Sequence, residues 1–238
     1  MLVQRYFANS KIADKFVLDS NDLFHIKTVM RMNNNDEIEV VYEKRLYLCN
    51  VEIDGDVNII MNKELNIENQ PNVELILAIP FLKEKKLDLI FQKGTELGVS
   101  KFILYEAERS IVNIDSKKEQ HRLDRWSKIC KEASEQSKRI DVPVVVIERK
   151  KDHFTDLDGI KLVCSPTEKE KNIKNVLKNN KKCGKIIIVV GPEGGLSDIE
   201  EIYFEKKGFE KVSLGARIMR TETVPVFLSS IISYEYME

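Results

Sequence analysis

The chain lacks long apolar runs. Stretches such as Ile186–Val190 are among its longest, far short of the roughly 20 residues that cross a bilayer as a helix. The N-terminus lacks the apolar core of a secretory signal. Cysteine is scarce: Cys49, Cys130, Cys164 and Cys183 stand far apart, without a CxxC pair or a His/Cys cluster. That excludes a disulfide-dense scaffold and predicts reduced, mostly buried thiols in a cytoplasmic protein. Histidine is scarcer still. His25, His121 and His153 are too scattered for a zinc set, and no metal is expected. With 10 Gly and 6 Pro in 238 residues, collagen-like and low-complexity chains are excluded. A large net charge is also missing, the formal value being −1. Residues 1–70 carry 8 Lys/Arg against 12 Asp/Glu and the remainder 30 against 27, so any nucleic-acid contact must use a local basic patch.

What is present is a change of pattern part-way along the chain. Ile38, Val40 and Tyr42 alternate with polar residues, and Tyr47, Cys49, Val51 and Ile53 alternate again after Glu43-Lys44-Arg45. Period two with a short polar break predicts a hairpin, in a segment small enough for a compact barrel. Phe24, Ile26, Val29 and Met30 suggest a short helix over Leu23–Met32. The chain turns polar near Asn66–Asn72, which predicts a boundary between domains 1–70 and 71–238. Beyond it, strands are predicted at Val73–Ile79, Phe102–Tyr105, Pro143–Ile147, Leu162–Cys164 and Lys185–Val190. Helices are predicted at Lys83–Leu97, Arg122–Arg139, Asp198–Lys207 and Thr223–Tyr236. Such alternation implies an α/β domain with a mainly parallel sheet.

Two loops of that domain carry chemistry. Gly191-Pro192-Glu193-Gly194-Gly195 follows an apolar strand and precedes Ser197-Asp198-Ile199-Glu200, a capping box that opens a helix. A glycine-rich strand-to-helix turn lets backbone approach a ligand and offers free N–H groups, although an ordinary tight turn has the same composition. The loop lacks the GxxxxGK[ST] and GxGxxG patterns, so a nucleotide phosphate has no cradle there. The second loop is Leu214-Gly215-Ala216-Arg217-Ile218-Met219-Arg220-Thr221-Glu222-Thr223. It too follows a predicted strand, and strand-end loops of this kind can meet at one edge of an α/β sheet, where ligands bind. The polar cluster Arg217, Arg220 and Glu222 could equally be solvated ion pairs of little energetic weight.

GPEGG followed by LGARIMRTET resembles the SPOUT class of methyltransferases. More narrowly, the chain resembles the ribosomal RNA small-subunit methyltransferase E family. The resemblance extends to Arg5-Tyr6-Phe7, His25 through Arg31, Lys93 through Val99, Glu108-Arg109-Ser110, Arg125-Trp126, Glu132 through Ser137 with Arg139, and Val142-Pro143. Three features depart from that family's pattern. Gly94 stands where alanine is expected, at a cost of about 1 kcal/mol inside a helix. Val224-Pro225 replaces a small residue, and the turn at Glu43–Arg45 lacks glycine.

The resemblance implies a PUA-like β-barrel that binds RNA over 1–70, and a trefoil-knotted α/β domain over 71–238 that binds S-adenosylmethionine. It implies three cofactor loops: Cys164, Ser165 and Pro166; Gly191, Pro192, Glu193, Gly194 and Gly195; and Leu214, Gly215, Arg217, Ile218, Met219 and Thr223. The implied reaction is methylation of a uridine N3 in 16S rRNA, the assembled small ribosomal subunit being the expected substrate. Arg220 is the first candidate to stabilise charge developing on the base, with Glu222 a weaker candidate for base or positioner. Otherwise Glu222 is a helix N-terminal carboxylate. Arg5, Tyr6, Arg31, Arg109, Arg125, Gln136 and Arg139 are the RNA candidates, although an aromatic near a barrel strand is commonly core. A homodimer without a membrane partner is implied. Other SPOUT enzymes acting on transfer or large-subunit RNA, and a non-catalytic assembly factor, are the alternatives.

Overall fold

A computed structural model describes residues 3–67, 73–112, 115–180 and 183–236. The chain forms two compact units, Met1–Gln70 with Lys131–Val142, and Pro71–Cys130 with Pro143–Glu238. The polar stretch read as a boundary lies largely in residues 68–72, outside the described ones.

The first unit contains β1 (Arg5–Phe7), β2 (Ser10–Ile12), β3 (Lys15–Val17), α1 (Ser20–Phe24), β4 (Glu37–Tyr42), β5 (Arg45–Asp54) and β6 (Asp56–Leu65). They form one sheet in the order β1-β4-β5-β6-β3-β2, antiparallel except for β1 beside β4. Tyr6, Phe16, Ile26, Ile38, Val40, Cys49 and Val51 fill its core. The alternation read in β4 and β5 is thus the inward face of this sheet. The helix expected at Leu23–Met32 is α1 running directly into a π-helical turn, His25–Val29. The hairpin turns on Glu43 and Lys44, both with positive φ, 49° and 61°. Without glycine, two ordinary residues take the left-handed conformation that a tight two-residue hairpin requires.

The second unit contains β7 (Glu74–Pro80), α2 (Glu84–Glu96), β8 (Val99–Tyr105), α3 (Glu119–Gln136), β9 (Val144–Ile147), α4 (Asp152–Thr155), β10 (Ile160–Cys164), α5 (Ile173–Asn179), β11 (Lys185–Val189), α6 (Asp198–Lys206), β12 (Glu210–Val212) and α7 (Thr223–Glu235). Helix α3 is shared, since from Lys131 onward it belongs to the first unit. The sheet is parallel throughout, in the order β12-β10-β11-β7-β8-β9. Its central strands are buried on both faces, which is why Leu75–Ile79 and Ile186–Val189 read as unbroken apolar runs. Trp126 and Cys130 lie in the core, with Trp126 on Phe91 at 5.3 Å between ring centroids.

Gly94 has a packing reason. A Cβ there would come within 2.7 Å of Phe102 Cζ and 3.3 Å of Val99 Cγ2. Helix α2 therefore lies close on β8, and the helix-propensity cost of glycine is offset by burial of the Phe102 ring. Pro225 occupies the first turn of α7, where its missing N–H removes no helical bond.

Candidate active site

Parallel strands place their C-terminal ends on one edge, so the loops after β10, β11 and β12 converge. Together they wall a cavity of about 580 Å³ in the second unit. Cys164, Ser165 and Pro166 line it from the first loop, and Gly191, Pro192, Glu193 and Gly195 from the second. Leu214, Gly215, Arg217, Ile218 and Met219 line it from the third. Gly194, Arg220, Glu222 and Thr223, also read as site residues, lie outside the lining.

Internal bonds hold each loop. The Ser165 N–H donates to Val212 O at 3.1 Å and its hydroxyl to Glu201 Oε1 at 2.8 Å, tying the end of β10 to β12 and α6. The Cys164 thiol is pushed up to about 12 by burial and stays protonated. The second loop closes on itself through Gly195 N–H to Pro192 O, 2.9 Å. At Gly191 a Cβ would come within 3.1 Å of the Leu196 nitrogen, so the loop folds back tightly there. Tyr105 donates its hydroxyl to Val190 O at 2.8 Å, fixing the point where strand becomes loop.

The predicted capping box is present, the Ser197 hydroxyl accepting from Glu200 N and the Glu200 carboxylate from Ser197 N. Glu200 does more. It is 3 % exposed, accepts the Glu108 N–H at 3.0 Å and pairs with Lys151 at 2.5 Å. Burial alone would raise its pKa, but Lys151 and the two backbone N–H donors hold the carboxyl below its ordinary range. In the third loop, the Thr223 and Val224 N–H groups donate to Arg220 O at 2.9 and 3.2 Å, starting α7.

Sequence reasoning missed several residues. Glu168, Lys169 and Asn172 line the cavity through the segment before α5. The Ile173 N–H to Ser213 O bond, 3.0 Å, joins that segment to the third loop. Lys86, in the first turn of α2, pairs with both Glu193 and Glu222 at 3.0 and 2.8 Å. A lysine in the first turn opposes the helix dipole, and that is the signal which could have drawn attention to it. The Lys86 bond holds the Glu222 carboxyl below the usual range, which makes it a weak proton acceptor. Glu222 is the N-cap residue of α7, a helix N-terminal carboxylate by position, but its side chain makes no cap bond and pairs with Lys86 instead. Arg220 is exposed and forms no side-chain hydrogen bond or ion pair among the described residues.

The RNA candidates divide. Arg5 is 8 % exposed and is taken up by Glu39 and by the carbonyl oxygens of Lys138 and Arg139. Tyr6 is buried against His25, hydroxyl to Nδ1 at 3.0 Å. Both are taken up by contacts in the first unit's interior. Arg109 holds the second loop, donating to Gly194 O and Leu196 O. Arg125 pairs with Asp88, and Arg139 with Asp141. Arg31 and Gln136 are exposed.

The RNA methyltransferase domain model matches residues 68–233. A second model, the RNA methyltransferase PUA domain, matches 18–57. The ribosomal RNA small subunit methyltransferase E of Bacillus subtilis is 33% identical, over 98% of this chain and 97% of that protein. The chain belongs to the ribosomal RNA small subunit methyltransferase E family. The Mesomycoplasma hyopneumoniae member is 32% identical over 94% of this chain and 96% of its own length. The Neisseria gonorrhoeae member, solved bound to S-adenosyl methionine, superposes with a TM-score of 0.87 at 26% identity, covering 98% of each chain. The chain is accordingly an RNA methyltransferase of the α/β class with an N-terminal PUA domain. Among the described residues, no helix is long and apolar enough to cross a membrane, and no group of three or more His, Cys, Asp or Glu could hold a metal.

Proposed function

We propose that this chain methylates N3 of a specific uridine in 16S rRNA, with S-adenosylmethionine as the donor. The observation that carries this is the three-loop cavity at the C-terminal edge of the parallel sheet. Its walls suit a compact, bent cofactor. Gly195 and Gly215 line it with φ of 70° and 107°, and a Cβ at either would meet no protein atom within 4 Å. Backbone is therefore presented openly where a ligand could lie against it. Bound there, S-adenosylmethionine supplies an electrophilic methyl group.

The chain's own residues orient and stabilise. The loops at 164–166, 191–195 and 214–219 hold the cofactor through backbone and apolar contacts, and alignment of this kind is worth several kcal/mol. Uridine N3 gives up its proton to solvent water in the reaction, leaving charge on the two carbonyl oxygens of the base. Arg220, exposed beside the third loop and unbonded among the described residues, carries the charge that stabilises it. Held ionised by Lys86, Glu222 positions this loop rather than removing the proton. The PUA-containing unit binds RNA, with Arg31 and Gln136 as its exposed candidates. The reading includes a knotted threading of the second domain, a homodimer, cytoplasmic location and the assembled small subunit as substrate. These rest on the family.

The test is to incubate purified protein with methyl-labelled S-adenosylmethionine and small subunits that lack native modification, then map the label by nuclease digestion and mass spectrometry. Label on uridine N3 of 16S rRNA is expected, with Arg220→Ala folded but reduced at least tenfold in kcat. Label on another base would overturn the assigned reaction, and full turnover by Arg220→Ala would remove that residue from it. Equal activity on a short naked hairpin would remove the assembled particle.

A further inference from the structure

Lys86 belongs to neither glycine loop, yet its ammonium touches both. It hydrogen-bonds Glu193 Oε1 in the loop after β11 and forms an ion pair with Glu222 Oε2 at the start of α7. Glu193 lines one wall of the cavity, and residues 214–219 with Thr221, just before Glu222, line another. The three side chains are 27%, 40% and 16% exposed, so the pairs are only partly screened by solvent. Removing the cation would leave two carboxylates, each within bonding reach of the same point, to repel one another. That repulsion acts between the walls themselves. Lys86 also sits at a helix N-terminus, where the dipole disfavours it, so helix stability does not explain a lysine at this position.

We infer that Lys86 is a positioning residue that sets the spacing of the two glycine loops, and through it the affinity for the cofactor. The inference rests on reading the cavity as the S-adenosylmethionine site. Lys86 acts through Glu193 and Glu222 rather than on the ligand. Lysine reaches both acceptors as a compact charge with several donors, while neutral residues of similar length leave the acidic pair unbalanced.

Binding of S-adenosylmethionine to the full chain, followed by titration calorimetry, separates this from a passive surface pair. Lys86→Met should raise Kd about tenfold, the equivalent of about 1.4 kcal/mol. Lys86→Arg should stay within about threefold of the parent, and Lys85→Met, on the exposed side of the same turn, should match it. Adding Glu222→Gln to Lys86→Met should recover most of the loss, because one of the repelling charges is gone. The defect should also shrink as salt is raised. Lys86→Gln carries the same expectations should the methionine variant fail to fold. Unchanged affinity in Lys86→Met at low salt would overturn the inference, as would a defect that Glu222→Gln fails to relieve. No binding by the parent chain would overturn the cofactor reading itself, and the inference with it.

Discussion

Arg109 donates from one guanidinium nitrogen to Gly194 O and also reaches Leu196 O, each at 3.1 Å. A Cβ at Gly194 would lie 3.5 Å from Arg109 Cβ, so the arginine runs flat along the loop. In the sequence Arg109 suggested an RNA contact; its geometry makes it a clamp on the second cavity loop. Arg109→Ala should therefore weaken S-adenosylmethionine binding about fivefold, corresponding to about 1 kcal/mol for an exposed pair of charged hydrogen bonds. RNA affinity should change less. Filter binding and calorimetry on the same variant decide the matter, and a loss of RNA affinity with intact cofactor binding would return Arg109 to the RNA surface.

Gly94 and Phe102 give a prediction opposite in sign to helix propensity. Alanine is the better helix former by about 1 kcal/mol. Its methyl group would nevertheless meet the Phe102 ring at 2.7 Å, and that ring is fully buried with Phe91 at 5.1 Å between centroids. Gly94→Ala should lose about 1–3 kcal/mol in denaturant unfolding through overpacking. Phe102→Leu in the same chain should make Gly94→Ala less costly. A stabilised Gly94→Ala would mean that the helix backs away from β8 with little penalty.

The parts legible in the sequence are those whose signal is local. Unbroken apolar runs marked the two-face-buried strands β7 and β11, and glycine marked two of the three cavity loops. The short strands β1, β2 and β3 have three residues each, too few for a period to emerge. Strand β6 is hard to read because its inward face is short: Val57, Ile59 and Met61 pack on the core, but only Ile59 is buried and the apolar Ile60 between them breaks the pattern. Helix α3 crosses from one unit to the other at Lys131 without a break in its helical pattern, and no local cue marks the change. Lys86 carries only a weak cue, a cation against the helix dipole, because its partners come from two distant loops. Arg5 is ambiguous in the sequence for a related reason: arginine suits phosphate, but it suits a buried carboxylate and carbonyl cluster equally well.

The turn at Glu43-Lys44 stores strain that glycine would release. Both residues hold a left-handed conformation that costs an L-residue about 1 kcal/mol. Both are exposed, so replacing them removes little packing. Glu43→Asn with Lys44→Gly should stabilise the chain by about 1 kcal/mol, an upward shift readable by thermal or urea unfolding. No gain would indicate that Glu43 or Lys44 makes compensating contacts in the folded state.

Glu135 makes the first unit sensitive to pH. Its carboxyl is raised to about 7, first by burial and then by the charge of Asp22, with Lys131 pulling the other way. Lys131 also bonds Asp19 and Asp22, so one cation faces three carboxylates, with Tyr6 and His25 close by. Burial raises Asp22 as well, whereas Asp19, more exposed and bonded by Lys131, is lowered despite its own desolvation. For Glu135 the folded pKa exceeds the unfolded one, so its contribution is fully present below about 4.5 and is lost as pH rises through about 7. Stability should fall between pH 5 and 8 by on the order of 2 kcal/mol from this group. Glu135→Gln holds the neutral form and should flatten that part of the profile. Urea unfolding at pH 5, 6, 7 and 8 measures it, and an identical slope in parent and variant would show that Glu135 titrates alike in the folded and unfolded chains.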